Sequence, residues 1–334
     1  MKLGTLNLSN NLLLAPLLNI TTAPYRRFCR SFQNIGLVYV PMIYTQRVIK
    51  DQRKIEYDLA LVEKEKPISI QLIGNEPEAF KSALDHLESY KHDIININAG
   101  CASLRSLRAK QGGYLIKDLE LLQKIIDSVT KYSSRPVSLK TRLGYANIVN
   151  ISKFSSIINN SNLDFITVHA RKVKDRFDQK TLDLETLKKI KESVKIPVVG
   201  NGDINSPIDA KNLIDYAKVD AIMIGRASMG NPQIFSQIED YLSKGILKPQ
   251  INDILLMKKY LKIFEKIIND FVRDVTLKSS IDDYKFKELK RNSIWQTKYL
   301  PNSTIYRTKL SKTKSLQELR TILNQIFSGD LIKN

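Results

Sequence analysis

Cysteine, tryptophan and histidine are scarce in this chain, which holds two cysteines, one tryptophan and three histidines in 334 residues. Two thiols as far apart as Cys29 and Cys101 cannot build the disulfide framework of a small secreted domain. No second cysteine or nearby histidine lies at metal-ligand spacing from Cys101. The sequence therefore predicts a reduced protein without a metal site, with Cys29 as a small buried hydrophobe and with His86 and His92 solvated.

Long apolar runs are absent as well. No stretch approaches the roughly 20 residues that cross a bilayer. The start of the sequence, MKLGTLNLSNNLLLAP, has no long apolar segment followed by a small-residue cleavage site, so we expect no signal peptide. We expect a cytoplasmic monomer that makes no contact with a membrane.

Charge of one sign is abundant: 53 Lys and Arg stand against 34 Asp and Glu, a formal net charge of +19. The excess is denser at one end, because residues 241–334 hold 19 basic and 9 acidic side chains. A basic excess of this size indicates a polyanionic partner. The alternative is compositional drift in a chain rich in Lys, Ile and Asn, but drift alone would not concentrate the charge at one end.

Short apolar runs alternate with amphipathic stretches through the first 240 residues. Eight runs predict strands buried on both faces, at 12–15, 37–40, 68–73, 94–98, 137–142, 165–169, 198–200 and 221–224. Helix starts with a polar cap and an early proline, as at Ser206-Pro207, lie between them. Eight strands with helical crossovers in this length predict a (β/α)8 barrel. A doubly wound sheet is the rival, but no G-x-G-x-x-G follows the first strand.

The pattern changes after a predicted linker at 244–250. From Asn252 onward, apolar residues recur at helical spacing and no strand is predicted. Further helices are expected at 279–290, 303–309 and 315–327, and they are the natural packing partners of the first. We therefore predict two domains, a (β/α)8 TIM barrel at 1–243 and a small all-α domain at 247–334.

Reactive residues of such barrels lie at the carboxyl ends of the strands. Glycines in Asn201-Gly202-Asp203 and in Gly225-Arg226 follow the seventh and eighth predicted strands, where backbone N–H groups and an arginine can bind phosphate. Ordinary turns are the alternative, although the pairing at these two strands favours a phosphorylated ligand. From the other strands, Lys140 offers a cation for an anionic ring, and Gln71 offers a donor and an acceptor for a pyrimidine-like edge.

Cys101 follows Gly100 in the loop after the fourth predicted strand, beside Asn98. A thiol with a reference pKa of about 8.5 is mostly protonated at neutral pH, yet it can release its proton. Since no metal-binding spacing surrounds it, a proton donor is the better interpretation than a metal ligand.

Taken together, these segments resemble the tRNA-dihydrouridine synthase family. The matching stretches, in order over about 220 residues, are APLLNITTAPYRRFCR, QLIG, INAGC, SLKTRLG, TVHAR, VVGNGDI and IMIGRASMGNP. The resemblance implies a flavoprotein that reduces the C5–C6 bond of tRNA uridines, with FMN as cofactor and NADPH or NADH as reductant. The chain departs from the family pattern at Ala102, where proline is usual, at Leu17–Thr22, which lacks a usual Gly and Asp, and at Asp175, where Gln is usual.

The resemblance also implies roles for individual residues. Cys101 would donate the proton to C5 of uracil. The implied cofactor-binding residues are Ala15, Pro16, Leu17, Gln71, Lys140, His169, Asn201, Gly202, Asp203, Gly225 and Arg226. The implied substrate-binding residues are Asn98, Arg142, His169 and Arg171.

A flipped base needs binding contacts elsewhere on the RNA, and the basic C-terminal region is expected to provide them. Its cations are Lys278, Lys285, Lys287, Lys290, Arg291, Lys298, Arg307, Lys309, Lys312 and Lys314, and its aromatics are Tyr284, Phe286, Trp295, Tyr299 and Tyr306. Core aromatics beneath a solvated face are the alternative.

Two rival functions remain, a small-molecule FMN barrel of the dihydroorotate or dihydropyrimidine dehydrogenase kind and a tRNA-binding barrel without catalysis. The sequence does not identify the uridine that is reduced.

Overall fold

A computed structural model describes residues 1–33, 35–51, 55–60, 62–249, 253–276 and 280–333. The chain divides into two compact units. The first comprises Met1–Arg26 and Asn34–Gly225, and the second comprises Arg27–Gln33 and Arg226–Asn334.

The first unit is a parallel β-barrel surrounded by helices. Its strands are β3 (Leu12–Leu14), β4 (Val38–Tyr39), β5 (Ile43–Tyr44), β6 (Ile68–Ile73), β7 (Ile94–Ala99), β8 (Val137–Arg142), β9 (Phe165–His169), β10 (Val198–Asn201) and β11 (Ala221–Ile224). From β6 to β11 each strand pairs in parallel with the next, β4 and β5 each pair in parallel with β6, and β11 pairs with β3. The ring closes through the N–H of Leu14, which donates to the carbonyl of Leu37 at 2.9 Å. Because β4 and β5 share one position beside β6, the ring has the eight positions of the predicted (β/α)8 barrel, which is thereby confirmed.

Helices connect the strands of this unit. They are α1 (Ala23–Arg30), α2 (Thr45–Lys50), α3 (Glu56–Leu59), α4 (Pro77–Leu87), α5 (Leu104–Arg108), α6 (Leu119–Tyr132), α7 (Ile151–Asn159), α8 (Leu184–Ser193) and α9 (Pro207–Ala217). Local capping explains several of their starts: Asp118, Asn150, Asp183 and Ser206 each accept a hydrogen bond from the first turn. The last four residues of α1 belong to the second compact unit.

The barrel interior has an apolar part and a polar part. A short antiparallel hairpin, β1 (Lys2–Leu3) and β2 (Leu6–Asn7), brings Leu3 into one buried cluster with Leu13, Val199 and Met223. Toward the carboxyl ends, alternate residues of four successive strands are polar, as in ISIQLI, IININA, VSLKTR and FITVH. Since successive strand side chains point to opposite faces, this alternation places one polar row per strand inside the ring.

The second unit is helical. It contains α10 (Ile234–Lys244), α11 (Ile254–Asp274), α12 (Ile281–Gln296), α13 (Ser303–Lys312), α14 (Leu316–Ser328) and α15 (Asp330–Lys333). Phe264 is buried and meets the ring of Phe28 edge-on at 5.2 Å, and Phe271 stacks on Tyr284 at 5.6 Å. The predicted helical domain is therefore helical throughout its described part.

Several expectations need comment against these elements. The predicted division into a catalytic barrel at 1–243 and an RNA-binding domain at 247–334 stays a prediction, while the compact units divide at Gly225. Gln250, Asn252, Lys278 and Ser279 lie outside the described residues. Within them, the prediction for His92 is wrong: its side chain is 2% exposed and burial lowers its pKa. Cys29 is fully buried, as expected.

For two aromatics of the C-terminal region, Tyr284 and Tyr306, the structure supports the alternative of core packing over contact with RNA. Tyr306 is 1% exposed and Tyr284 stacks on Phe271, so both rings serve the packing of the bundle. Tyr299 is exposed, with the Lys298 ammonium 4.6 Å from its ring centroid. Helical spacing explains the difference, because an aromatic that recurs with the apolar stripe of a helix is buried with it.

Candidate active site

The carboxyl ends of β6, β7 and β8 carry a network of buried amides. The Gln71 carboxamide donates to Asn96 Oδ1 at 2.7 Å and accepts from Asn98 Nδ2 at 2.8 Å. Asn96 in turn donates to Ser138 Oγ at 2.8 Å. One N–H and one lone pair of the Gln71 amide remain for a ligand. The structure thus fixes the orientation of Gln71 and Asn98, two of the predicted site residues.

Lys140, on β8, places a cation near this amide network. Lys140 Nζ donates to Asn201 Oδ1 at 3.0 Å, and Asn201 Nδ2 donates to the carbonyl of Met223 at 2.7 Å. Burial lowers the pKa of Lys140 to about 7; the nearby Arg142 guanidinium adds to this effect and Cys101 opposes it. Among the described residues Lys140 makes no ion pair, so its charge is not compensated by the protein itself. A partly exposed ammonium without a carboxylate partner among the described residues suits an electron-rich ring.

Hydrogen bonds to both the N–H and the carbonyl of Cys101 hold its backbone in place. Asn98 Oδ1 accepts from the N–H groups of Gly100 and Cys101 at 3.1 and 3.0 Å. The Cys101 carbonyl accepts from the N–H of Gly113 at 2.9 Å. The thiol is free and partly exposed. These bonds fix the loop even though Ala102 stands where a proline is usual in the family that the sequence resembles.

Arg142 binds the loops around the thiol. Its Nε donates to the Gly100 carbonyl at 2.9 Å, and its Nη1 donates to the carbonyls of Lys172 and Arg176 at 3.0 and 2.8 Å. The guanidinium lies 5.4 Å from the ring centroid of Phe177. Arg142 therefore joins the loop after β7 to the loop after β9. Direct contact between Arg142 and the uracil stays a prediction.

His169 and Arg171 form a second polar cluster at the end of β9. Arg171 Nη1 lies 3.3 Å from His169 Nε2, and its Nε donates to the Asp178 carbonyl at 2.7 Å. Its Nη2 pairs with the Asp203 carboxylate, and the Arg171 side chain is fully buried. This arrangement favours a role for Arg171 in orienting His169 and Asp203. Contact of Arg171 with substrate stays a prediction.

Gly202 allows the chain to pass closely over His169. It has φ +134°, and a Cβ added here would lie 3.1 Å from His169 Cδ2 and 2.9 Å from Leu182 Cδ1. The following residue, Asp203, also has positive φ, at 45°. This turn after β10 is the one that the sequence pattern assigned to phosphate, and the backbone conformation is consistent with that assignment.

The apolar side of the site comes from the ends of β3 and β11. Ala15 N–H donates to the Ile224 carbonyl at 2.8 Å, and Pro16 and Leu17 are partly exposed. A Cβ at Gly225 would make ordinary contacts with Ala15 Cβ and Leu17 Cδ2, at 3.5 and 3.7 Å. These residues could therefore form an apolar wall beside a flat ring. Arg226 follows directly and is exposed, and its predicted binding of phosphate is not tested by these distances.

Sequence reasoning missed several residues of this region. Phe177 is 53% exposed, with its ring 6.1 Å from that of His169. Ser106 is fully buried beside Cys101. The period-two polar pattern of β7 and β8 could have indicated Asn96 and Ser138. No pattern in the sequence singles out Phe177 or Ser106, because their positions depend on how the loops fold.

The side chains at the strand ends fit the polar edge and the flat face of a flavin ring. Lys140 supplies a cation without a carboxylate partner, and the amides of Gln71 and Asn201 supply donors and acceptors. The apolar wall of Ala15 and Leu17 suits the face of an aromatic ring. No cluster of three or more His, Cys, Asp or Glu side chains that could hold a metal occurs in the described part of the chain. Over the same residues, every helix is too short or too polar to span a bilayer.

Comparison with known proteins agrees with this geometry. The family model for dihydrouridine synthase matches residues 13–329. The tRNA-dihydrouridine synthase B of Pasteurella multocida (strain Pm70) is 32% identical over 256 residues, which cover 76% of each protein. A probable tRNA-dihydrouridine synthase of Rickettsia prowazekii (strain Madrid E) is 30% identical over 316 residues, covering 94% of this chain and 93% of the relative.

Solved structures of other enzymes share the fold at low sequence identity. Morphinone reductase superposes with a TM-score of 0.55 at 12% identity, over 75% of this chain and 90% of that structure. Histamine dehydrogenase from Rhizobium sp. 4-9 gives a TM-score of 0.57, also at 12% identity, over 80% and 50% of the two chains. These likenesses concern the barrel fold. The match of the family model over nearly the whole sequence decides the assignment: the chain belongs to the dihydrouridine synthase family.

Proposed function

We infer that the chain is a flavin-dependent oxidoreductase that reduces the C5–C6 bond of tRNA uridines to give 5,6-dihydrouridine. Family membership supports the reaction, and bound FMN, re-reduced by NADPH or NADH, would be the source of the hydride for C6 of the uracil. The observation that carries the assignment of residues is the position of Cys101, fixed by Asn98 in the ring of strand ends that also holds Lys140. We propose a monomer that acts in the cytoplasm.

Cofactor binding is assigned to the polar and apolar strand ends. Lys140 and Gln71 would hold the pyrimidine edge of the flavin, and the segment Ala15–Leu17 would supply the apolar surface for its ring. The turn Asn201–Asp203, together with Gly225 and Arg226, binds ribityl and phosphate groups. His169 would contact both the cofactor and the substrate. Support comes from the uncompensated charge of Lys140 and from the left-handed backbone at Gly202 and Asp203.

Proton transfer is assigned to Cys101. Reduction of the double bond adds a hydride to C6 and a proton to C5, and the thiol can give that proton because it is free, partly exposed and held in place. Asn98, Arg142, His169 and Arg171 orient the uracil, either directly or by fixing the loops. A base within a stacked RNA cannot reach this site, so the uridine must be flipped, at a cost of a few kcal/mol.

The Cys101→Ala variant tests this assignment. Loss of the acid should lower dihydrouridine formation by roughly 10²–10⁴-fold, the usual contribution of a positioned acid. Flavin absorbance and the rate at which NADPH reduces the flavin should stay nearly unchanged, because the thiol acts only on the substrate. The measurement is the dihydrouridine content of tRNA after incubation with enzyme and NADPH.

Cys29→Ala is the matched control, since it removes the other thiol of the chain, which is fully buried. It should form dihydrouridine at the wild-type rate per bound flavin. Full activity of Cys101→Ala would assign the proton to another acid or to water. A colourless protein that does not bind added FMN would contradict the cofactor assignment. Reduction of free uridine as fast as of tRNA would instead indicate a small-molecule enzyme.

A further inference from the structure

The thiol of Cys101 has two hydroxyl neighbours. Its Sγ lies 3.5 Å from Ser103 Oγ and 3.5 Å from Ser106 Oγ. Ser103 Oγ and Ser106 Oγ are 2.8 Å apart, and Ser106 Oγ lies 3.2 Å from the hydroxyl of Tyr44. A continuous path of hydrogen-bonding groups therefore leads from the thiol through Ser106 to Tyr44.

Two elements, α5 and β5, hold these hydroxyls in place. Ser103 is the N-cap of α5 and accepts from the N–H of Ser106 at 3.2 Å. Ser106 lies in the first turn of that helix and its side chain is fully buried. Tyr44 ends β5 and is partly buried, with the Arg105 guanidinium 5.2 Å from its ring centroid. The Ser106 hydroxyl thus contacts the thiol and two other hydroxyls at once, whereas the capping of α5 uses only the backbone N–H of Ser106.

This path could reprotonate the thiolate between turnovers. Once Cys101 has given its proton to C5 of the uracil, the thiolate must regain a proton before the next substrate can react. A hydroxyl can donate one proton while it accepts another. A chain of hydroxyls can therefore carry a proton inward with no charged residue in the path.

We propose that Ser106 acts through Cys101: its hydroxyl passes a proton back to the thiolate. Tyr44 is the next group in this relay. The proposal rests on the assignment of Cys101 as the acid. In the relay, the sulfur takes the Ser106 hydroxyl proton, the Ser106 oxygen takes the Tyr44 hydroxyl proton, and Tyr44 regains a proton from solvent. One solvent proton is consumed in each turnover and no group in the path changes its oxidation state.

The experiment compares the first turnover with later ones in Ser106→Ala, using tRNA in excess over enzyme and saturating NADPH. The first dihydrouridine per enzyme should form within twofold of the wild-type rate, because the thiol begins protonated. Later turnovers should be at least tenfold slower, which gives a burst of one product per enzyme. Flavin reduction by NADPH, followed by absorbance, should be unchanged.

Two further variants distinguish the relay from a loss of packing. Tyr44→Phe keeps the ring and removes only the hydroxyl, and it should slow the later turnovers without affecting the first. If the two groups act in series, the Ser106→Ala/Tyr44→Phe double variant should be no slower than Ser106→Ala. Ser155→Ala removes another buried serine hydroxyl, on α7, and should behave as wild type.

Chemical rescue provides the readout that a structural role would not change. A small diffusible acid such as imidazolium should raise the slow rate of Ser106→Ala in proportion to its concentration. The relay is overturned if later turnovers of Ser106→Ala match wild type, or if the first and later turnovers slow equally and resist rescue. Because Cys101→Ala tests the acid separately, an inactive Cys101→Ala beside a normal Ser106→Ala would reject the relay alone.

Discussion

At the scale of single residues, the site contains polar and charged groups that the rest of the protein only partly pairs with hydrogen-bond partners or opposite charges. Lys140 is the strongest case, because its ammonium has one amide acceptor and its pKa is lowered to about 7 by burial. The side chain is therefore close to half protonated near neutral pH in the cofactor-free protein. A ligand that prefers the cation must then bind with uptake of a proton.

FMN affinity should accordingly fall as the pH rises above 7. If Lys140 binds the flavin only as the ammonium, the dissociation constant should rise by up to about tenfold per pH unit between pH 7 and 9. Fluorescence titration of the cofactor-free protein with FMN at a series of pH values measures this slope. Lys140→Met should bind FMN more weakly, with the rise above pH 7 removed.

Lys140→Arg is the matched variant, because guanidinium keeps its charge throughout this range. Its FMN affinity should vary less with pH than that of the wild type. An identical slope in the wild type and in Lys140→Met would show that the proton is taken up elsewhere, for example by the FMN phosphate. Lys140 would then lose its assignment as the cation at the flavin.

How far single residues could be predicted depends on what places them. Gln71, Asn98, Lys140 and Asn201 were predicted from their positions at strand ends, and the structure does bring them together in two hydrogen-bonded groups. Their roles stay predictions. Phe177 could not be predicted in the same way, because loop geometry rather than strand register places its ring beside His169.

At the scale of elements, the loops after β7, β8 and β9 act together. The Val173 N–H donates to the Gly144 carbonyl at 2.9 Å, and the Lys174 N–H donates to the Tyr145 carbonyl at 3.0 Å. Gly112 packs closely under the loop that carries the thiol: it has φ +60°, and a Cβ here would lie 2.8 Å from Cys101 Cβ. The position of the thiol thus depends on a glycine eleven residues further along the chain.

Gly112→Ala should therefore displace Cys101. We expect a loss of roughly 1–3 kcal/mol in the free energy of unfolding, from the left-handed backbone and the close contact together. Dihydrouridine formation per bound flavin should fall at least tenfold, because the acid is displaced from C5. Denaturant unfolding and the tRNA assay measure the two effects.

Gly245→Ala separates the effect of the left-handed backbone from the effect of the close contact. Gly245 also has a left-handed backbone, at φ +71°, but a Cβ there would meet nothing within 4 Å. This variant should lose stability, by about 1 kcal/mol, and keep its activity per bound flavin. Equal activity of the Gly112 and Gly245 variants would mean that the loop accommodates the methyl group without moving the thiol.

Element boundaries were predictable where local chemistry is strong. The start of α9 at Pro207 follows from Ser206, whose side chain caps the helix. The second barrel position was harder, since the predicted strand at 37–40 contains β4 alone, whereas β5 lies beyond it and pairs with a different part of β6. Pairing with β6 determines where these short strands begin and end, and a run of apolar residues in the sequence does not show it.

At the scale of the whole molecule, a net charge of +19 means that many basic side chains have no acidic counterpart. On α12 much of the charge is compensated, as Lys287 pairs with Asp283 and Arg291 pairs with Glu288. Helix α13 has no acidic residue, and its exposed Arg307, Lys309 and Lys312 make no ion pair within the described part of the chain. Of the surfaces that the sequence assigned to RNA, α13 is therefore the best supported.

The Arg307→Ala/Lys309→Ala/Lys312→Ala variant should bind tRNA more weakly and with a smaller dependence on salt. If the three cations each neutralise one phosphate, the slope of log K against log [salt] should become less negative by about 2–3. A salt titration of tRNA binding to the wild type and the variant measures this change. Flavin absorbance and NADPH oxidation should be unaffected, because these residues act only on the RNA.

A control with the same change of net charge decides whether position matters. Lys124, Lys131 and Lys195 are exposed residues of the barrel unit, on α6 and in the segment before β10. Substituting all three by alanine should leave the slope nearly unchanged if tRNA contacts α13 specifically. If the two triple variants lose the same affinity and the same slope, the basic excess acts only as a diffuse field, as compositional drift would produce. A slope unchanged in both would exclude these helices from the interface and would direct the search to the basic loops around Cys101, where Arg105, Arg108, Lys110, Lys117 and Lys174 lie.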